Sequence, residues 1–182
     1  TVRLTDNPAF DDSGRWSPDG SEIIFYSNRD GTMDLWKISV NESGYPLGVA
    51  VKVLQSDARE HCGRWSFDGE YIVYESDKTG INHLWMITLD GLNETQLTFD
   101  ENTNSYPAWH PSGDYIVYNK QTSTSSNLHI LSLLDGETKR LTMHQMGIDA
   151  HPTWSADGKY IAFHSDRAGN FELWIMEIPL TI

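Results

Sequence analysis

The sequence has one cysteine, Cys62, in 182 residues, so no disulfide within the chain can hold it together and the cysteine framework of small secreted domains is excluded. Basic residues are scarce: 13 Lys and Arg stand against 26 Asp and Glu, a formal net charge of -13. Nucleic-acid affinity rests largely on Lys and Arg, and that balance argues against a phosphate-backbone binder. Long apolar runs are missing too. Stretches such as Ile23 to Tyr26 fall far short of the roughly 20 residues of a membrane helix. No segment keeps apolar residues at helical spacing for three turns, which leaves helix a minor component at most. What remains is 38% apolar and 12% aromatic residues, enough to bury a core in a chain of one ordinary domain.

Against those absences stands a repeat. Trp16, Trp65, Trp109 and Trp154 are spaced 49, 44 and 45 residues apart, and fixed columns run from each. Four residues on lie Gly20, Gly69, Gly113 and Gly158. Seven on lie Ile23, Ile72, Ile116 and Ile161, and nine on the aromatics Phe25, Tyr74, Tyr118 and Phe163. Nineteen on lie Leu35, Leu84, Leu128 and Leu173, followed by Trp36, Trp85, His129 and Trp174. A leucine also precedes each origin by 11 to 13 residues: Leu4, Leu54, Leu97 and Leu141.

The unit reads as strand. Glu22 to Tyr26 and Tyr71 to Tyr74 are short, β-branched and aromatic. Asp19-Gly20, Asp68-Gly69 and Asp157-Gly158 are hairpin dipeptides, with Ser112-Gly113 in their place in the third unit. Four antiparallel strands every ~45 residues are the pattern of a β-propeller blade. The expected fold is all-β: four blades of four strands over a single domain 1–182. Blade one covers about 13–55, blade two 62–98, blade three 106–142, and blade four 151–178 plus 1–5. In this reading Val2-Arg3-Leu4-Thr5 is an outermost strand without a blade, and it closes the last blade. A closed ring favours a monomer; a piece of a longer array, or two copies forming an eight-bladed ring, would show the same ends.

Trp16-Ser17-Pro18-Asp19-Gly20, then Ser27-Asn28-Arg29-Asp30-Gly31, then Leu35-Trp36 resembles the TolB-type, WD-like propeller repeat. Ser165-Asp166-Arg167-Ala168-Gly169 and Leu173-Trp174 repeat it, while the third unit departs with Asn119-Lys120-Gln121 and His129. The resemblance implies a fold shared by scaffolds, peptidases and lyases, and a periplasmic or exported bacterial location. Peptidases of the prolyl oligopeptidase type add a hydrolase domain to such a propeller. Oligogalacturonate lyases add a histidine and glutamine metal cluster. Accessory roles to such enzymes are the alternative to a non-enzymatic binding scaffold with a protein or peptide partner.

Candidate site residues follow from rotational repetition. Asp11, Glu60, Asn104 and Asp149 stand five residues before each origin, and would ring the channel mouth. Oxygen ligands there suit Ca²⁺ or Mg²⁺. Asp12, His61 and His151 join them as ligand-binding candidates. The competing structural reading pairs these acids with Arg29, Lys78 and Arg167 in the neighbouring loops. The seven histidines form no metal motif by spacing, though His61 and His151 could meet in space. No nucleophile elbow is present, and Cys62 is expected to be buried rather than reactive. The repeated tryptophans are expected in the core.

Overall fold

The computed structural model describes residues 1–179. Every regular element among them is a strand, and no helix is long and apolar enough to cross a membrane. Blade one comprises β1 (Asp11–Trp16), β2 (Glu22–Ser27), β3 (Asp34–Ser39) and β4 (Val51–Lys52). Blade two comprises β5 (Glu60–Trp65), β6 (Tyr71–Ser76), β7 (His83–Thr88) and β8 (Glu94–Gln96). Blade three has β9 (Thr103–Trp109), β10 (Tyr115–Gln121), β11 (Ser126–Ser132) and β12 (Thr138–Arg140). Blade four has β13 (Asp149–Trp154), β14 (Tyr160–Ser165) and β15 (Glu172–Glu177). Within each sheet the strands lie in chain order and pair antiparallel.

The turns show why the Ser-x-Asp-Gly columns recur. Ser17 Oγ donates to Asp19 at 2.7 Å and accepts from the Glu22 amide at 2.9 Å, tying the first strand to the second. Ser66 and Ser155 repeat both bonds, and Gly20, Gly69 and Gly158 take the positive φ that the turn requires.

The core lies between blades. Ile24 and Leu35 of blade one pack with Ile72, Tyr74 and Ile87 of blade two. Val73 and Leu84 pack with Ile116, Tyr118 and Leu131, and Val117 and Leu128 with Ile161, Phe163 and Ile178. The second strands of blades two and three, β6 and β10, are thus buried on both faces, one aimed at each neighbouring blade. Trp65 and Trp109 also donate their ring N–H to the Arg15 and Arg64 carbonyls, one blade back, at 3.3 and 3.1 Å.

The expected closure is not made. Blade four has three strands, and residues 1–5 are not paired to it. Leu4 packs instead on blade one, against Ile23, Phe25, Ile38 and Val40. Among the described residues no blade packs beside Trp16, which is 57% exposed where Trp65 is 9%. Among the described residues the four blades form an open arc, with the Leu173 face of blade four exposed.

Candidate functional site

Each innermost strand carries a β-bulge at the same repeat position. Register against the second strand shifts between Asp12 and Arg15, between His61 and Arg64, between Ala150 and Thr153, and at the matching point of β9. The residue three before each origin tryptophan takes the left-handed conformation: Ser13 (φ 57°), Cys62 (52°), Tyr106 (53°) and His151 (53°). Such residues outside glycine cost on the order of 1 kcal/mol each, and a bulge re-aims its side chain. The column therefore repeats in backbone and differs in chemistry. Residue type did not single the column out, because the neighbouring column of Asp12, His61, Ser105 and Ala150 varies as much.

Inner strands of all four blades line a groove of about 520 Å³, which includes Arg15, Arg64, Tyr106, Trp109, His151 and Trp154. Arg15 and Arg64 make no salt bridge among the described residues, although most other cations of the chain do. The Tyr106 and His151 rings stack at 3.6 Å, and His164 follows at 4.6 Å from His151. Burial first, then the neighbouring His164 and Arg64, hold the His151 pKa below its ordinary value. A second pocket of about 560 Å³ shares Tyr106 and His151, and is walled by Asn119, His164, Asp166 and Phe171. The stacked pair stands between the two spaces.

The expected acidic ring is placed differently. Asp11 bonds Arg29 at 2.9 Å and Asp149 bonds Arg167 at 2.8 Å. Burial pushes the pKa of both acids up. For Asp11 the hydrogen bonds of Ser27, Thr5 and Arg29 outweigh it, and for Asp149 those of Ser165, Arg167 and Thr142 do, so both end below the usual carboxylate value. Asn104 is fully buried and donates to the Asn102 carbonyl at 2.9 Å. Asp12 is exposed and accepts from the Ser13 amide. His61 lies 5.8 Å from Tyr26, and His151 lies with Tyr106 and His164. Among the described residues no three His, Cys, Asp or Glu side chains gather closely enough to hold a metal ion.

Glu60 is the exception in its column. It is fully buried, and neither carboxyl oxygen receives a hydrogen bond. Burial lifts its pKa to about 8; Ser56 and Lys52 oppose the shift and the neighbouring Asp34 carboxyl adds to it. Asp34 gives one oxygen to Lys52 and Thr32, both at 2.8 Å, and its other oxygen is unpartnered. A proton kept on Glu60 spares the fold a second buried negative charge beside Asp34. Lys78 pairs with Glu94 rather than Glu60.

The loop cations have a further role that spacing did not suggest. Arg29, Lys78 and Arg167 lie over the rings of Trp36, Trp85 and Trp174, at 4.7, 3.6 and 4.9 Å. Blade three lacks both members, with Thr122 and His129 in their places, so the missing cation and the missing ring go together. Cys62 is held as the thiol: burial and the Glu75 charge push its pKa up to about 12.

Four-stranded antiparallel sheets packed face to face around inner strands define a β-propeller. Residues 102–179 match the family model described as the TolB beta propeller domain, and the chain as a whole has a TolB-like β-propeller fold. Among solved structures it is similar to a putative TolB from Agrobacterium tumefaciens, with a TM-score of 0.80 and 22% identity over 97% of this chain and 61% of that one. It is also similar to a puromycin hydrolase (TM-score 0.77, 18% identity, 96% of this chain and 28% of that). An oligogalacturonate lyase in complex with manganese is a third (0.70, 15%, 95% and 52%). At these identities the likeness shows the fold, and the chain spans less than two thirds of each of these proteins. None of the curated proteins matches this sequence.

Proposed function

We propose that the chain is a non-enzymatic binding module, periplasmic or exported, that takes a polypeptide segment of a partner along the groove between its inner strands. The observation that carries this reading is the bulge column. The fold holds four left-handed residues at one level, and each blade fills that level with a different side chain. Strained, individually varied positions on a rigid frame are where binding chemistry concentrates. Of the carboxylates expected to ring the channel mouth, Asp11 and Asp149 are committed to Arg29 and Arg167. Arg15 and Arg64 are the free charges at the groove, and they favour a segment bearing carboxylates. A propeller accessory to a hydrolase or lyase is the second reading, favoured by the match to only 28% of a puromycin hydrolase.

The test is tryptophan fluorescence with a hexaglutamate and a hexalysine peptide, because Trp65, Trp109 and Trp154 line the groove. Saturable quenching by hexaglutamate, weakened at least tenfold in Arg15→Glu/Arg64→Glu, supports the binding groove. Quenching that is absent, stronger with hexalysine, or unchanged in the double variant refutes it.

A further inference from the structure

The tenth residue after each origin tryptophan lies on a second strand, and at the internal blade boundaries it faces the bulge of the next blade. Between blades one and two the position is Tyr26, whose hydroxyl reaches the Cys62 thiol. Between blades two and three it is Glu75, whose Oε1 accepts from the Tyr106 amide at 2.7 Å. Between blades three and four it is Asn119, one methylene shorter than Glu75. Asn119 is 3% exposed, and its carboxamide oxygen has no partner among the described residues. Its nitrogen donates to the Ser126 hydroxyl over a long 3.4 Å. A buried acceptor left without a donor is costly, and native folds keep few of them. This one lines a cavity.

The cavity is the pocket of about 560 Å³ that Asn119 shares with Tyr106 and Asp166. The β10–β11 hairpin forms one side of it. Thr122 Oγ1 accepts from the Ser125 amide and Ser125 Oγ from the Asn127 side chain, both at 3.1 Å, so these two hydroxyls hold the turn. The exposed Ser123 and Thr124 hydroxyls make no bond among the described residues, and both line the pocket. Among the described residues no Lys or Arg stands in its walls. Its one acid, Asp166, gives Oδ1 to the Ile148 amide at 2.8 Å. His151 has its pKa below the ordinary 6.5 and is therefore mostly neutral at pH 7. The walls thus offer one buried acceptor, two free hydroxyls and the aromatic rings of Tyr106 and Phe171, with little fixed charge.

We infer that this pocket binds a neutral sugar ring. A sugar hydroxyl donates to Asn119 Oδ1 in the place that the Tyr106 amide takes at Glu75. Other hydroxyls of the same ring exchange hydrogen bonds with Ser123 and Thr124, which both donate and accept. The C–H face of the ring packs on an aromatic side chain, whose π face is negative. A phosphate or a uronic acid would meet no cation in these walls and would face Asp166, so the ligand carries no negative charge. The features that carry the inference, Asn119 and the β10–β11 hairpin, belong to a boundary inside the row of blades. The site is also separate from the peptide groove: Arg15 and Arg64 line that groove and not this pocket.

The test is a titration of the isotope-labelled chain, followed by NMR at the Asn119 side-chain amide and the Ser123 and Thr124 backbone amides. The probes are glucose, galactose and mannose, each as the free hexose and as a linear trisaccharide, with glucuronate as the charged counterpart. At least one neutral sugar is expected to shift these resonances saturably, with a Kd on the order of 1–10 mM for a single ring. A trisaccharide bound at least tenfold more tightly than its hexose assigns the end of a glycan as the ligand; equal affinity assigns a free sugar. Glucuronate is expected to bind at least tenfold more weakly than the best neutral sugar. Asn119→Gln restores the length of Glu75, fills the gap and brings its oxygen to the His151 amide, the counterpart of the Tyr106 amide. It is expected to melt no lower than wild type and to weaken binding at least tenfold. Asn119→Leu, which removes the unpaired oxygen at similar size, is the second variant and is expected to weaken binding as much. No saturable shift with any neutral sugar overturns the inference, as does glucuronate bound as tightly as they are, or full affinity in either folded variant.

Discussion

Leu84 and Leu173 occupy one repeat position in two environments, and substituting each by alanine measures the difference. Leu84 is fully buried between blades two and three, among Val73, Ile116 and Tyr118. Removing its three outer carbons there forfeits transfer energy and leaves a cavity, a combined cost of about 2–5 kcal/mol for a buried leucine. For a chain of this size each kcal/mol shifts the melting temperature by roughly 2–4 °C, so Leu84→Ala is expected to melt about 5–15 °C below wild type. Leu173 is 88% exposed and touches no blade beyond its own. Leu173→Ala is expected to change stability by less than about 0.5 kcal/mol, the range of ordinary surface substitutions. The assay is urea unfolding followed by tryptophan fluorescence, at concentrations where light scattering gives the monomer mass. Equal losses at both positions refute the open arc, since they require blade four to be covered from within the chain.

Other outcomes follow from the buried charges. Glu60 holds its proton up to about pH 8 when folded, against an ordinary value of 4.5. Between those values the folded chain binds a proton that the unfolded chain has lost. Stability therefore falls as pH rises from 4.5 to 8, by on the order of 1 kcal/mol per pH unit. Urea midpoints of Glu60→Gln from pH 5 to 8 should lack that slope, and parallel curves would sink the assignment. Asp149 has the opposite sign: its lowered pKa gives stability that is full above 3.8 and lost as pH falls. Asp149→Asn is expected to cost about 2 kcal/mol at pH 7 by leaving Arg167 unpaired, with the gap to wild type closing toward pH 3. In blade three, Thr122→Arg and His129→Trp together should rebuild the cation–ring stack, with a coupling of about 0.5–2 kcal/mol in a double-mutant cycle. Additive single effects would show that no stack forms.

The blade was legible because its determinants are local and recur four times. The Ser-x-Asp-Gly turns, the Ile-x-aromatic second strand and the Leu-Trp third strand each fix their own hydrogen bonds or burial within a single unit or its next neighbour. Closure was not legible, since Leu4 serves the same packing role whether it completes blade four of its own chain or sits alone on blade one. The Asp11 and Asp149 pairs with Arg29 and Arg167 were visible as a competing reading from loop spacing. Glu60 was not separable from them in sequence, because its difference arises from Asp34, 26 residues earlier and on another blade. The bulge column of Ser13, Cys62, Tyr106 and His151 was not legible, because it is defined by a left-handed backbone that residue type does not announce.

The most direct measurement of the open arc is amide hydrogen exchange of Leu173 against Leu84 and Leu128, at concentrations where the chain is monomeric. The Leu84 and Leu128 amides donate to Thr98 and Thr142 and are fully buried, and they should exchange only with global opening. Among the described residues β15 is an edge strand, so the Leu173 amide should exchange within the dead time of the experiment. Protection of Leu173 equal to that of Leu84 in the monomer would mean that blade four has its fourth strand within the chain, and would contradict the arc.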